Sequence, residues 1–281
     1  MKTESATPGA GSFHEWPLVI FTTLGVTGAG LLATPMLAWA VAGTPAPATV
    51  PVRWGAALLA VGLGVSLAHL GRPLRAPLAS AGLGRSLLSA EVVAATVATI
   101  VGVTAAFLPY VSPVLDLAAA AAAIVFLVTL GLVYALPGQQ TWRGVVVWMP
   151  LSSGLGFGAV GLAAFWGEAL AAIGAVAAVV LAADTALLVV RRLALVWPRE
   201  QAAPRYPAVF ARLQGILLMR FALVDILPGL GLLAGFRWTA VALFGLGILV
   251  DRISFYGLAA QRTTESEVER IEGILAASRQ A

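Results

Sequence analysis

The sequence predicts an all-α polytopic membrane protein built as a bundle of eight transmembrane helices. Apolar residues make up 60% of its 281 residues and charged residues only 11%, whereas a soluble domain carries about 25% charged residues. A spanning helix needs about 20 apolar residues. Suitable runs lie near 17–43, 54–70, 87–108, 114–136, 145–166, 168–190, 215–235 and 238–259. These runs are continuous rather than alternating, which excludes a transmembrane β-barrel and leaves helices.

The order of these runs sets the organisation of the chain. Ala38-Trp39-Ala40 resembles a signal-peptidase site, but the run before it is long for a signal peptide, so we expect the first helix to be retained. Most connections are short, except residues 71–86 and the proline-containing residues 191–214, which face the same side. We expect an eight-helix anchor domain over 1–260 and an amphipathic tail over 261–281, suited to docking on a soluble partner.

Basic residues predict the orientation of the bundle. One side of it carries 13 of them and the other side two, Arg53 and Arg237. The basic side collects Lys2, Arg72, Arg75, Arg85, Arg143, Arg191, Arg192, Arg199, Arg205, Arg212, Arg262, Arg270 and Arg279. The positive-inside rule then places both termini in the cytoplasm, in an inner (cytoplasmic) membrane. In a membrane protein such residues report topology rather than nucleic-acid binding. Arginines that contact an acidic partner would weaken this count as evidence of topology.

Five ionisable residues lie inside the last three runs. Asp184 falls near the end of the sixth run, Arg220 and Asp225 near the start of the seventh, and Asp251 and Arg252 near the end of the eighth. In an up-and-down bundle all five fall in the membrane half next to the basic side. Charges inside a bilayer are costly unless they are paired. We therefore expect compensating ion pairs such as Arg220 with Asp251 or Asp225.

His69 and Glu91 form a second pair of polar residues in the same membrane half. His69 ends the second run, and Glu91 lies about one turn into the third, so the two can face each other. A neutral imidazole and a carboxyl near the interface are suited to proton exchange with a hydroxyl or carbonyl ligand. This pair is the predicted catalytic site.

The cysteine and histidine content limits the cofactors of this chain. It has no cysteine and only two histidines, which excludes an iron–sulfur cluster, a thiolate metal site and a c-type haem. A b-type haem usually needs two axial histidines from neighbouring helices, and only His69 lies in a helix near the membrane. We expect no haem, no iron–sulfur cluster and no metal site, so any redox metal belongs to a partner.

Four short motifs resemble those of a known family. They are His14–Thr22, His69–Ala76, Ser86–Glu91 and Phe255–Leu258, and they occur in the order and spacing seen in the membrane-anchor subunit of dimethyl sulfoxide reductase. The resemblance implies an eight-helix, haem-free anchor that binds menaquinol or a related quinol such as ubiquinol. It also implies two partners, a ferredoxin-like iron–sulfur subunit with four clusters and a molybdopterin catalytic subunit.

The resemblance also implies roles for individual residues. It makes His69 the hydrogen-bond partner of the quinol and Glu91 the proton acceptor. Gly71 would let the backbone approach the quinol ring, and Arg75 would hold the loop or tune Glu91.

Three residues before the first helix extend this predicted quinol site. His14, Glu15 and Trp16 could line the quinone entrance, while an interfacial aromatic anchor is an equal reading of Trp16. The substrate of the catalytic subunit and the direction of electron flow stay open, because an anchor does not touch that substrate.

Two other classes of function remain open from the residues. A secondary transporter also carries charges in its spans, but it is expected to show repeat symmetry or broken helices around a midplane site. A purely structural anchor would not need His69 and Glu91. Neighbouring genes for a four-cluster ferredoxin-like protein and a molybdopterin enzyme would favour the redox interpretation.

Overall fold

The structure is a computed structural model of the chain. It describes residues 16–34, 36–37, 39, 49–69, 81–108, 113–133, 148–165, 182–187, 189 and 215–257. Every regular element in these ranges is helical, which confirms the predicted all-α class. The tail 261–281 and most of the two longer connections fall outside the described residues.

Eight main helical segments follow one another along the described ranges, besides further helical residues at 34, 36–37 and 39. They are α1 (Trp16–Leu32), α2 (Thr49–His69), α3 (Leu87–Phe107), α4 (Pro113–Val133), α5 (Met149–Phe165), α6 (182–187), α7 (Gly215–Leu233) and α8 (Arg237–Gly257). Each falls within or close to one of the predicted runs. Of the sixth run, 168–190, only α6 and residue 189 belong to the described part.

The helices have the length and surface of membrane-spanning elements. By length and composition, α2, α3, α4, α7 and α8 can each cross a membrane, while α1 and α5 are shorter apolar helices. Large apolar side chains point away from the bundle: Leu233 is 87% exposed and Phe107 is 79% exposed. Such a surface is suited to lipid rather than water. The structure thus supports a membrane helix bundle, and the number of eight spans stays a prediction.

α2 begins earlier than its apolar run. The sequence predicts a run that begins near residue 54, whereas the helix starts at Thr49 and includes Arg53. Pro51 lies in its first turn, where backbone N–H groups have no partner within the helix and a proline is tolerated. Hydropathy alone therefore places the start of α2 too far along the sequence.

α1 lies at the centre of the described bundle, in contact with α2, α4, α5 and α8. Glycines allow the backbones to come close. A Cβ atom on Gly28 would lie 2.8 Å from the carbonyl oxygen of Gly55 on α2, and one on Gly30 would collide with the backbone of Gly154 on α5. Small residues at helix contacts are typical of membrane bundles, since close backbones maximise van der Waals packing.

α7 and α8 form an antiparallel hairpin. Gly235 adopts a left-handed conformation with φ +82°, which glycine accepts without steric cost. The N–H of Phe236 donates to the carbonyl of Gly231 at 2.7 Å, and that of Gly235 donates to Leu232 at 3.1 Å. These bonds satisfy the last carbonyls of α7. The tight turn places the start of α8 beside the end of α7.

Candidate functional site

A hydrogen bond between α2 and α3 fixes how these helices are aligned. Nε of Arg53, near the start of α2, donates to the carbonyl oxygen of Ala106, near the end of α3, at 3.2 Å. The helices are therefore antiparallel. His69 lies roughly 24 Å along α2 from Arg53, and Glu91 lies roughly 22 Å along α3 from Ala106. The last residue of α2 and Glu91 thus stand at nearly the same level of the bundle.

Contacts between α1 and α2 bring Trp16 to this level as well. The close approach of Gly28 to Gly55, and of Gly62 to Phe21, shows that α1 and α2 run antiparallel. About three turns before Gly28, the same antiparallel alignment places the start of α1 beside the end of α2. Trp16 is 40% exposed there, which is compatible both with a position at a ligand entrance and with an interfacial anchor.

The end of α8 completes this end of the bundle. Val19 of α1 packs with Phe255 and Tyr256 of α8 in a small apolar cluster. The first and last of the four motifs are therefore in contact, and the described parts of the two middle motifs lie at the same level. Residues that are far apart in the sequence thus meet at one end of the structure.

Glu91 is buried at this end of the bundle. Its relative exposure is 3%, while Leu87 and Leu88 in the first turn of α3, just before it, are 51% and 61% exposed. The N-cap of α3 is Ser86, whose hydroxyl accepts a hydrogen bond from the N–H of Ser89 at 3.5 Å. The start of α3 therefore carries the Glu91 side chain on its buried face.

The other predicted site residues have different outcomes. His69 is the last residue of α2, at the level of Glu91. His14, Glu15, Gly71 and Arg75 fall outside the described residues, so their predicted roles are not tested.

A second polar site lies between α5, α6, α7 and α8. We call it the Arg220 cluster; it consists of Ser152, Ser153, Asp184, Arg220, Asp225, Asp251 and Arg252. Each of its five charged side chains has an exposure of 5% or less. No three acidic or histidine side chains of the described ranges are arranged to hold a metal ion. The charges of the cluster are instead arranged around a guanidinium.

Arg220 is the centre of this cluster. Its Nη2 lies 2.7 Å from Oδ2 of Asp184, its Nε lies 3.3 Å from Oδ1 of Asp251, and its Nη1 lies 3.9 Å from Oδ2 of Asp225. Arg252 pairs with Asp251 at 2.9 Å. The predicted pairing of Arg220 with Asp251 or Asp225 is confirmed, since both lie within 4 Å of its guanidinium, and the structure adds Asp184 as its nearest partner.

A π-helical turn brings Arg220 and Asp225 to one face of α7. It covers Ala222–Ile226, and the N–H of Leu227 bonds to the carbonyl of Ala222 five residues earlier. In a regular α-helix, residues three or four apart are neighbours and residues five apart are not. A π turn has a wider i to i+5 spacing, so it brings Arg220 and Asp225, which are five residues apart, to the same face of α7. It precedes Pro228, which has no N–H to donate to the Val224 carbonyl.

Sequence reasoning missed the two serines of the cluster. Ser152 donates a short hydrogen bond to Oδ1 of Asp184, and Ser153 accepts one from Nη2 of Arg220 at 3.0 Å. The signal available was a pair of adjacent hydroxyl residues near the start of an otherwise apolar run. That signal is weak, because serines often bond their own helix backbone, as Ser152 also does with the Met149 carbonyl.

These features define a multi-pass helical membrane protein, whose described residues form two buried polar sites in one half of the bundle. The sequence profile of the family described as "DMSO reductase anchor subunit (DmsC)" matches residues 10–258. The match covers most of the chain and includes all four motifs. The chain therefore belongs to this family of anchor subunits, as the motifs predicted.

A relative of known name supports this assignment over a shorter stretch. The anaerobic dimethyl sulfoxide reductase chain YnfH of Escherichia coli (strain K12) is 40% identical over 95 residues, which is 32% of this chain. The alignment spans 33% of that relative's length. It adds similarity to a named protein, while the family profile covers the chain as a whole.

Proposed function

We propose that this chain is the quinol-binding membrane anchor of a molybdopterin oxidoreductase complex. It would exchange electrons between menaquinol or ubiquinol and an iron–sulfur partner subunit. The observation that carries the proposal is the burial of Glu91 at the level of His69, at the end of the bundle where the family motifs meet. Membership of the anchor-subunit family supports the same function.

The proposed site handles the protons of the reaction. Oxidation of a quinol to a quinone releases two electrons and two protons, and reduction takes up the same number. His69 hydrogen-bonds one quinol oxygen, and Glu91 accepts the proton of that hydroxyl as a general base. The second hydroxyl releases its proton to water at this end of the bundle. Gly71 admits the ring and Arg75 holds the loop, while His14, Glu15 and Trp16 line the entrance.

The electrons leave this chain without a resident metal. The chain has no cysteine to ligate an iron–sulfur cluster. The quinol therefore passes its electrons directly to the nearest cluster of a four-cluster, ferredoxin-like partner subunit, which connects to the molybdopterin catalytic subunit. This arrangement requires the partner to dock at the end of the bundle that carries Glu91.

The test is quinol-linked turnover of the assembled complex. Glu91→Gln and His69→Ala should each lower the turnover with quinol by about 100-fold or more, the usual contribution of a general acid–base group. Activity of the catalytic subunit with a soluble artificial electron donor should remain, because that donor bypasses the anchor.

Asp116→Asn is the matched control for this experiment. Asp116 lies in the first turn of α4, which follows α3 after a short connection and so begins at the end of the bundle opposite Glu91. This variant should keep normal quinol turnover. Normal turnover in both the His69 and Glu91 variants would instead favour a purely structural anchor.

A further inference from the structure

The Arg220 cluster contains more acids than bases. Three carboxylates, on Asp184, Asp225 and Asp251, face the two guanidiniums of Arg220 and Arg252. α5 contributes only serine hydroxyls to the cluster, and the described residues of α1 and α5, which pack against α8, include no charged side chain. With all five groups ionised, this cluster would carry one net negative charge. An uncompensated charge in a buried site is costly.

Asp225 is the least compensated of the three carboxylates. Its nearest cationic atom is Nη1 of Arg220 at 3.9 Å, whereas Asp184 and Asp251 lie at 2.7 and 3.3 Å from the same guanidinium. The Asp225 side chain is 5% exposed, and neither of its oxygens meets full hydrogen-bond geometry with a described residue. Thr185 on α6 is close enough to stabilise the carboxyl with a weak hydrogen bond. A buried carboxylate with one weak hydrogen bond and no close cation is more costly than its neutral, protonated form.

The backbone of α7 also departs from regular geometry at this residue. Asp225 lies within the π turn, and such turns are frequent at functional sites. α8 accommodates the turn with Gly247, where a Cβ atom would lie 3.0 Å from Cβ of Leu223. The π turn of α7 and the small residue Gly247 of α8 thus together accommodate the position of Asp225 beside Arg220.

The Arg220 cluster is separate from the proposed quinol site at Glu91 and His69. Asp251 precedes Phe255 by one helical turn, and Phe255 packs on Val19 of α1. This places Asp251 about 10 Å deeper in the bundle than Trp16 and Glu91, at 1.5 Å per residue. α3 packs mainly on α2 and α4, whereas the cluster lies between α5, α6, α7 and α8. The quinol proposal does not use any residue of the cluster.

We propose that the Arg220 cluster is a proton-binding site that holds one exchangeable proton on the carboxyl of Asp225. With this proton the cluster has two negative and two positive charges and is neutral. The ligand is a proton alone, so the site adds no redox step. The inference stands on the charges and contacts of the cluster and does not depend on the proposed quinol chemistry.

Infrared spectroscopy of the full-length chain in lipid tests the proposal. The carbonyl stretch of a protonated carboxyl is separate from that of a carboxylate, and it shifts when the proton is exchanged for deuterium. The chain has four aspartates, of which only Asp116 lies outside the cluster. Labelling the aspartate side-chain carboxyl with ¹³C should therefore shift this band, which assigns it to aspartate rather than to Glu91. This measurement uses the unmutated chain and does not depend on the folding of a variant.

Three variants then test the charge balance. Asp225→Asn should abolish the aspartate band, because the remaining charges balance. Arg252→Gln should increase the band about twofold, because a second carboxyl must be neutralised. Asp225→Glu should keep a protonated carboxyl band that ¹³C-aspartate no longer shifts.

Asp116→Asn and Glu91→Gln are the controls, and both should leave the aspartate band unchanged. Absence of an aspartate band in the wild-type chain would overturn the proposal, as would its persistence in Asp225→Asn. A band that appears only when sodium is removed would also overturn it, because a bound cation would then balance the charge. Loss of quinol turnover in Glu91→Gln is a separate measurement, so the two proposals can fail independently.

Discussion

Nη2 of Arg220 on α7 lies 2.7 Å from Oδ2 of Asp184 on α6, with both side chains 1% exposed. This ion pair joins two helices inside the bundle, and Arg220 extends it to α8 through Asp251 at 3.3 Å. A buried guanidinium that compensates several carboxylates cannot be removed without leaving those charges unpaired. Arg220 is therefore expected to matter for assembly more than arginines at the membrane boundary.

Replacing Arg220 tests its role in stability. Arg220→Met should destabilise the folded chain by about 3–5 kcal/mol, the usual cost of breaking a buried ion pair. The fraction of monodisperse protein after graded heating in detergent would measure the loss. Arg85→Gln is the control, since Arg85 is exposed before α3, and it should behave like the wild type. Equal thermal stability of the two variants would contradict the central role of Arg220.

The contact between α1 and α5 gives a second stability prediction. A Cβ atom on Gly158 would lie 2.9 Å from the carbonyl carbon of Gly30, and a backbone cannot move aside as a side chain can. Gly158→Ala should therefore destabilise the bundle by about 1–3 kcal/mol, read as a lower midpoint of thermal unfolding. Gly64→Ala on α2 is the matched control, because no atom lies within 4 Å of its Cβ position. That variant should be neutral or more stable by up to about 1 kcal/mol.

The cofactor prediction can be checked on the purified chain. With no cysteine and two histidines, the isolated subunit should contain no iron and show no haem absorption in a reduced-minus-oxidised spectrum. The complex with the proposed iron–sulfur partner serves as the positive control for iron. A b-type haem band that arises from this subunit alone would contradict the proposed direct transfer from quinol to the partner.

The orientation of the bundle can be read from its C-terminus. The sequence predicts 13 basic residues on the side of both termini and of the connection 71–86, so we expect that side to face the cytoplasm and the partner subunits to dock there. A fluorescent protein that matures only in the cytoplasm, fused after Ala281, should fluoresce. Active alkaline phosphatase at the same position would reverse the orientation and assign the arginines to a partner interface, with partners exported through the twin-arginine route.

The sequence by itself determined the class of protein and its family. Long continuous apolar runs leave a bilayer helix as the way to satisfy backbone hydrogen bonds, and short motifs such as Ser86–Glu91 identified the anchor-subunit family. It also predicted the pairing of Arg220 with Asp251 or Asp225, because charges at equal depth in a bilayer need partners. These conclusions depend on local composition and on depth along each helix, which a linear sequence records.

The tertiary structure decided which helix faces meet. No local pattern indicates that α1 occupies the centre, that Ser153 reaches Arg220, or that Asp184 is its nearest partner. In a membrane bundle the lipid-facing and interior residues are both apolar, so hydrophobic periodicity does not mark the interior face. The π turn that contains Asp225 packs against Gly247 of α8. Neighbouring helices, rather than the sequence of α7 alone, set the charge balance at Asp225.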